Sequence, residues 1–455
     1  MKEWIRSLPD RYGRTTLILL LAILLVGFGL RAYRVAEPLA TPGDDAHAYY
    51  DLSKSLYEEG SYGSPGFRDA SDWSPGAPLL YSASFYATGG AREGTARIVE
   101  LLLGMAAIVV VFLLGRRIAC RPAGLIAAFG VAVYPPFIHS TGALFSEPPA
   151  IFTLPAAVLA FLWAADSLGS SDSRRSYARW LLPGFLFGLT ALIRPEYLVV
   201  GAAFVLLAGI RVARARGWRP GLAVAALSVA ALLVPIVPWM VRNVVVLDRA
   251  VPISTGGGKA LYVGTYLPAD GEYQRVKAML VERYRHRDLE PGSEALDEVD
   301  PAPLFDRVAR RYPDLPRDEA LGKIGKENFY DYLGEDPVEY GAMTARKVWR
   351  MWSGGVGEAM SSTAGRTIQV MLVLLALAGL VVLAWRRWWW ELVAMATPLA
   401  IVTAVGAASL AAPRRNEVLM TLVFPLAGAA LARAGGALSS SDSWTSSEQA
   451  SSPPS

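Results

Sequence analysis

Between an apolar run ending near residue 33 and the next one beginning near residue 96, the chain reads Thr41-Pro42-Gly43-Asp44-Asp45-Ala46-His47-Ala48-Tyr49-Tyr50-Asp51-Leu52. Pro42 and Gly43 break the backbone, and the residues after them suit a helix ending near Gly60. On that helix Asp45, Tyr49, Leu52 and Leu56 share one face by i, i+4, i+7, i+11 spacing. Asp44 is then placed to cap the helix and Asp45 to sit in its first turn. Carboxylates here have three uses: satisfying backbone N–H groups, taking a proton from a hydroxyl nucleophile, or joining His47 around a cation. Three neighbours from one helix start rarely complete a metal site. The reading is therefore no metal and no other cofactor, with a divalent cation as the alternative.

The second set of residues is cationic. Arg194-Pro195-Glu196 interrupts a long apolar stretch, and an arginine set in apolar sequence needs an anionic partner. Glu196, two residues away, is one such partner; the phosphate of a lipid is another. Arg414-Arg415 falls in a short connection between apolar runs, where arginines either sit at lipid headgroups or close an anion site. Arg242 and Lys259 add positive charge in the long segment after residue 241. Lys259 directly follows Ser254-Thr255-Gly256-Gly257-Gly258, a tract that makes a flexible turn or lets backbone approach a ligand. Glu147, followed by Pro148 and Pro149, reads as the start of a helix. Trp73, Tyr62 and Tyr81 can stack on a sugar or sit at the membrane interface.

These residues must be held by elements that the composition identifies as membrane helices. Only 18% of residues are charged and the mean hydropathy is +0.32, against about a quarter charged in soluble proteins. At least seven uncharged runs of about 15 residues or more are present, and a bilayer crossing needs about 20 apolar residues. Soluble enzymes, disordered chains and disulfide scaffolds are excluded, and Cys120 is the only cysteine. Helices are expected near 15–33, 96–115, 122–138, 147–165, 220–240, 367–385, 391–412 and 417–434. The stretch 181–210 is broken at Arg194 into two short halves, either two tilted helices or a re-entrant hairpin.

Charge placement orients the bundle. With the N-terminus cytoplasmic, seventeen Lys and Arg residues fall in inner segments, including Arg116, Arg117, Arg121, Arg211, Arg214, Arg386, Arg387 and Arg433. The short outer connections hold Arg194, Arg414 and Arg415. Two long segments, 34–95 and 241–366, are then extracytoplasmic, and the Ser-rich tail 435–455 is expected to be disordered in the cytoplasm. The net charge of +4 needs no nucleic-acid partner. The fold class is an all-α polytopic membrane protein with about 8–10 transmembrane helices over residues 1–434.

The acidic segment resembles the first extracytoplasmic loop of GT-C superfamily glycosyltransferases, in particular bacterial relatives of protein O-mannosyltransferases and of the lipid A aminoarabinose transferase. The family pattern is an acidic pair, a tyrosine four residues on, a Gly-rich turn and a Pro-rich segment. This chain supplies Asp44-Asp45, Tyr49, Gly60-Ser61-Tyr62-Gly63 and Trp73-Ser74-Pro75-Gly76-Ala77-Pro78. Further matches are Glu147, Gly188 to Pro195, Pro238 to Asn243, and Ser254 to Gly258. The chain departs from the family in having Asp-Asp where Asp-Glu is commonest, and Arg-Arg where Arg-Tyr is frequent.

The resemblance implies a GT-C-like bundle in a bacterial inner membrane. It implies an inverting transfer from a polyprenyl-phosphate sugar to a lipid, glycan or protein acceptor on the outer face. Asp45, or Asp44 in second place, would be the base. Arg194, Arg242, Arg414, Arg415 and Lys259 would hold the donor phosphate, and Tyr49, His47, Trp73 and Glu147 the substrates. The competing readings are a transporter or lipid flippase, and a non-catalytic member of the fold.

Overall fold

The structure is a computed structural model that describes residues 13–37, 45–63, 70–169 and 173–436. Asp44, the side chain of Asp45, Arg68 and the tail after residue 436 lie outside the described residues. Among the described residues the secondary structure is helical, with no strand, and nine helices are long and apolar enough to cross a membrane. The chain is a multi-pass membrane protein.

The first span, α1 (Arg14–Ala36), leads to the first long segment, which holds α2 (Asp45–Glu58) and α3 (Gly76–Thr88). Next come α4 (Glu93–Ile118), α5 (Arg121–Val133), α6 (Pro135–Ser140) and α7 (Glu147–Asp166). At 1.5 Å per residue α5 is only about 20 Å long, and α6 extends the return after a break at Tyr134. The stretch split by Arg194 forms two helices, α8 (Leu181–Ile193) and α9 (Tyr197–Arg216), followed by α10 (Trp218–Leu247). The second long segment contains α11 (Gly257–Thr265), α12 (Tyr273–Arg285), α13 (Arg317–Glu335) and α14 (Pro337–Ser353). Three spans close the fold: α15 (Thr363–Trp385), α16 (Trp389–Ala408) and α17 (Pro413–Ala434).

The helix ends sort into two groups. At one end Arg117 bonds Asp166 at 2.5 Å and Glu391 at 3.0 Å. There too Arg216 donates to the Leu168 carbonyl at 3.0 Å, and Arg433 lies over the Trp385 ring at 4.7 Å. This basic end joins α4, α7, α9, α15, α16 and α17. Both long segments emerge at the opposite end.

A continuous apolar core links α4 to α10 with α15 to α17. The most enclosed spans are α7 and α17, whose apolar windows are 78% and 83% buried. Lipid tails are as apolar as leucine, so close packing rather than water exclusion holds such helices together. Glycines supply the closeness. A Cβ on Gly188 would stand 2.2 Å from the Leu232 carbonyl oxygen, and one on Gly379 would stand 2.1 Å from that of Leu426. Arg31 on α1 is fully buried and donates to the carbonyls of Val131 (2.8 Å) and Ala132 (3.0 Å), which the end of α5 leaves unpaired. The second long segment has a core of its own, built from Tyr262, Val263, Val276, Leu280, Phe305, Leu321 and Ile324.

Candidate active site

The Arg194 break has a local cause. Pro195 disfavours the helical region for the residue before it, and Arg194 is extended at φ −141° and ψ 108°, ending α8. The same end of the bundle carries the first turn of α7, where Glu147 precedes two prolines, and the first turn of α17, where Pro413 precedes Arg414 and Arg415. A carboxylate at a helix N-terminus complements the helix dipole, whereas two arginines there oppose it. Arg414 and Arg415 therefore need anions.

Glu147 supplies one. Arg194 Nη1 donates to Glu147 Oε1 at 2.7 Å, and Arg414 grips the same carboxylate with a fork, through Nε to Oε1 and through Nη2 to Oε2 at 3.1 Å. Arg194 Nε also donates to Glu196 Oε1 at 3.0 Å. Glu147 is 1% exposed, Arg194 12% and Arg414 34%, so the carboxylate is sealed beneath guanidiniums of which one remains accessible. Burial works to raise the Glu196 carboxyl, but the Arg194 and Arg415 guanidiniums outweigh it and hold it below its ordinary value. Arg415, also held by Ser409 Oγ at 3.4 Å, thus faces the same acidic group. Glu417, one turn further along α17, is buried beside this cluster. Three arginines and three glutamates from α7, the 194–196 tip and α17 form one charged knot.

The first long segment is docked next to it. Leu52 of α2 packs with Leu192 of α8, Trp239 of α10 and Tyr62. A Cβ on Gly76 would meet the Ile193 backbone at 2.6 Å, so the Trp73–Pro78 strip lies directly on the residue preceding Arg194. The expected face of α2 is observed: Tyr49 and Leu52 are buried, and Asp45 is the first helical residue, one turn before Tyr49. Trp73 meets Tyr49 edge to face at 5.1 Å. His47 is half-buried, and its Nδ1 has no hydrogen-bond partner among the described residues.

Arg242 lies in the neighbouring aromatic cluster, its guanidinium over Tyr62 (5.6 Å) and Trp239 (5.0 Å) and donating to the Tyr62 carbonyl at 3.3 Å. Lys259 sits in α11, where its backbone N–H donates to Asp318 at 3.3 Å. Tyr81 is fully buried, so its ring offers no sugar platform. Its hydroxyl lies 2.5 Å from Glu100 and 2.7 Å from the Phe145 carbonyl. Glu100 also accepts the N–H groups of Gly142 (2.6 Å) and Leu144 (3.2 Å), the latter in the left-handed region at φ 57°. That pair shapes the turn that delivers Glu147. The sequence marked Tyr81 only as a sugar-stacking or interfacial aromatic and did not mark Glu100, because a single acid at the edge of an apolar run carries no periodic signal. Among the described residues no three His, Cys, Asp or Glu side chains converge as a metal site.

Residues 72–240 match the family model described as dolichyl-phosphate-mannose-protein mannosyltransferase. The chain superposes on the Archaeoglobus fulgidus oligosaccharyltransferase AglB in complex with an inhibitory peptide and a dolichol-phosphate, at TM-score 0.53 and 16% identity. That match covers 96% of this chain and 53% of the other. The apo form of the Archaeoglobus fulgidus enzyme gives 0.55 at 16% identity, covering 95% and 51%. The chain therefore spans about half the length of these solved structures. ArnT from Cupriavidus metallidurans bound to undecaprenyl phosphate overlaps more loosely, at TM-score 0.42 and 15% identity over 92% of this chain and 79% of that one. No curated protein matches the chain in sequence. The chain thus shares the helical membrane fold of the Archaeoglobus fulgidus enzyme, in line with the GT-C-like bundle that the resemblance of its first long segment implied.

Proposed function

We propose that this protein is a glycosyltransferase that moves a sugar from a polyprenyl phosphate to an acceptor at the loop-bearing end of the bundle. The observation that carries this reading is the knot in which Arg194 and Arg414 share Glu147, next to the helix that begins with Asp45. Two guanidiniums gathered on one buried carboxylate, with Arg415 beside them, form a cationic surface suited to a lipid phosphate. The GT-C fold and the mannosyltransferase family match support the same chemistry.

The reaction is a single displacement. The acceptor oxygen attacks the anomeric carbon from the face opposite the phosphate, and its proton passes to Asp45, with Asp44 as the alternate base. The bond from the anomeric carbon to the phosphate oxygen breaks, and the electron pair leaves on the phosphate, where Arg194, Arg414 and Arg415 stabilise it. Configuration inverts. A phosphate is so good a leaving group that a weakly basic carboxylate suffices for this step. Arg242 and Lys259 steer the anionic donor, while Tyr49, His47 and Trp73 frame the sugar and Glu147 orients the arginines. No metal cofactor is required in this scheme. The proposed setting is a bacterial inner membrane with the N-terminus cytoplasmic and residues 34–95 and 241–366 outside, in line with the grouping of arginines at the opposite end.

The test uses the protein in nanodiscs with short-chain polyprenyl-phosphate sugars and a mixture of lipid, glycan and peptide acceptors. Released polyprenyl phosphate together with a product of inverted anomeric configuration is expected. Movement of intact donor between leaflets without cleavage would instead make the protein a transporter.

A further inference from the structure

We propose that Asp72 is a positioning residue, a clasp through which the second long segment holds the helix that begins at Asp45. The inference rests on the glycosyltransferase reading and adds a device to it. The clasp has four bonds. The Thr255 N–H donates to the Ser71 carbonyl at 2.8 Å, and the Ser71 and Thr255 hydroxyls lie 3.2 Å apart. Thr255 Oγ1 donates to Asp72 Oδ1 at 2.6 Å, and Arg317 Nη2 donates to Asp72 Oδ2 at 2.5 Å. Both carboxylate oxygens of Asp72 are thereby engaged by a segment 183 to 245 residues away. The pair is shielded, at 19% exposure for Asp72 and 21% for Arg317.

What lies next to Asp72 gives the clasp its consequence. Trp73 presses its ring on Tyr49, one turn from Asp45, and its carbonyl accepts the Tyr62 hydroxyl at 3.1 Å. Gly76, three residues on, rests on the Ile193 backbone next to Arg194. One short strip therefore touches the second segment at 71–72, the acid-bearing helix at 73 and the arginine tip at 76. On the other side Arg317 opens α13, and the adjacent Asp318 accepts the N–H of Gly258 at 2.7 Å, which anchors the start of α11. Displacement of the second segment is thus passed through Asp72 and Trp73 to the distance between Asp45 and the guanidiniums. That distance sets whether base and leaving group address one anomeric carbon.

The test pairs activity with a covalent clasp. In full-length protein carrying Cys120→Ser, Arg317→Gln is expected to lower turnover about tenfold while the KM for a polyprenyl-phosphate sugar stays within twofold. Adding Ser71→Cys and Thr255→Cys allows a disulfide where the hydroxyls now meet. Oxidation should restore most of the lost turnover, and reduction should remove it again. Wild-type turnover in Arg317→Gln, or a loss that the disulfide does not repair, overturns the proposal. The yield of the 71–255 disulfide in membranes reads the clasp without any sugar transfer. A several-fold lower yield with Arg317→Gln supports the clasp, and equal yields overturn it, whether or not the glycosyltransferase reading stands.

Discussion

Arg414 and Glu147 stand 267 positions apart, yet the arginine holds both oxygens of that carboxylate, with Nη2 to Oε2 at 3.1 Å, while Arg194 holds one of them at 2.7 Å. A 1% exposed carboxylate under two guanidiniums is stable only as a set. Desolvation of each charge is offset by the others, and removal of one partner leaves the rest uncompensated.

The first prediction follows from that balance. Glu147→Gln should destabilise the detergent-solubilised protein by about 3–5 kcal/mol, read as a lowered thermal midpoint. Combined with Arg414→Gln the losses should be clearly less than additive, because the two residues share one interaction. Strict additivity would mean that the pairing carries no energy.

Arg414→Lys separates charge from geometry. A lysine keeps the positive charge but cannot make the forked contact. Stability should change little, while transfer falls by one to two orders of magnitude and donor affinity by less. Unchanged transfer would remove Arg414 from leaving-group stabilisation.

Gly76→Ala probes the docking of the first segment. Its Cβ would stand 2.6 Å from the Ile193 backbone, too close for backbone to yield without a shift. A loss of about 1–3 kcal/mol is expected, with transfer more than tenfold down. Gly63→Ala, where open space surrounds the position, serves as the control and should behave as wild type.

A pH effect is expected at Lys347, which is fully buried between the second segment and the bundle and donates to the carbonyls of Gly264 (2.6 Å) and Ala407 (2.9 Å). Burial lowers its pKa to about 8, from an ordinary 10.5. The unfolded chain therefore binds the proton more tightly than the folded one. The resulting penalty is full below about pH 8 and is relieved as pH rises toward 10.5. The thermal midpoint of wild type relative to Lys347→Met should climb across that window; a flat difference would place the ammonium in a better-solvated site.

Much of the scaffold was legible from residue types. Apolar runs and arginine placement marked the spans, and Arg194-Pro195 marked the break, because a pre-proline residue leaves the helical region whatever its surroundings. The α2 face was readable from its spacing, and Tyr49 and Leu52 are buried as expected. The partners were less legible. Arg194 takes both the neighbouring Glu196 and the remote Glu147, and only the first lies within the reach of local spacing. Glu147 looked like a helix-start residue, which it is, and nothing nearby signalled that two arginines would converge on it. The pairing of Asp72 with Thr255 and Arg317 was invisible for the same reason, since a clasp between loops has no period, and Thr255 stood out only as part of a glycine-rich tract.

The most direct measurement is single-turnover transfer by Asp45→Asn alongside its binding of polyprenyl phosphate. Unchanged lipid-phosphate affinity with transfer at least a hundredfold below wild type is predicted, in a protein that inserts and folds normally. Wild-type transfer in that variant, with a verified donor, would contradict the account.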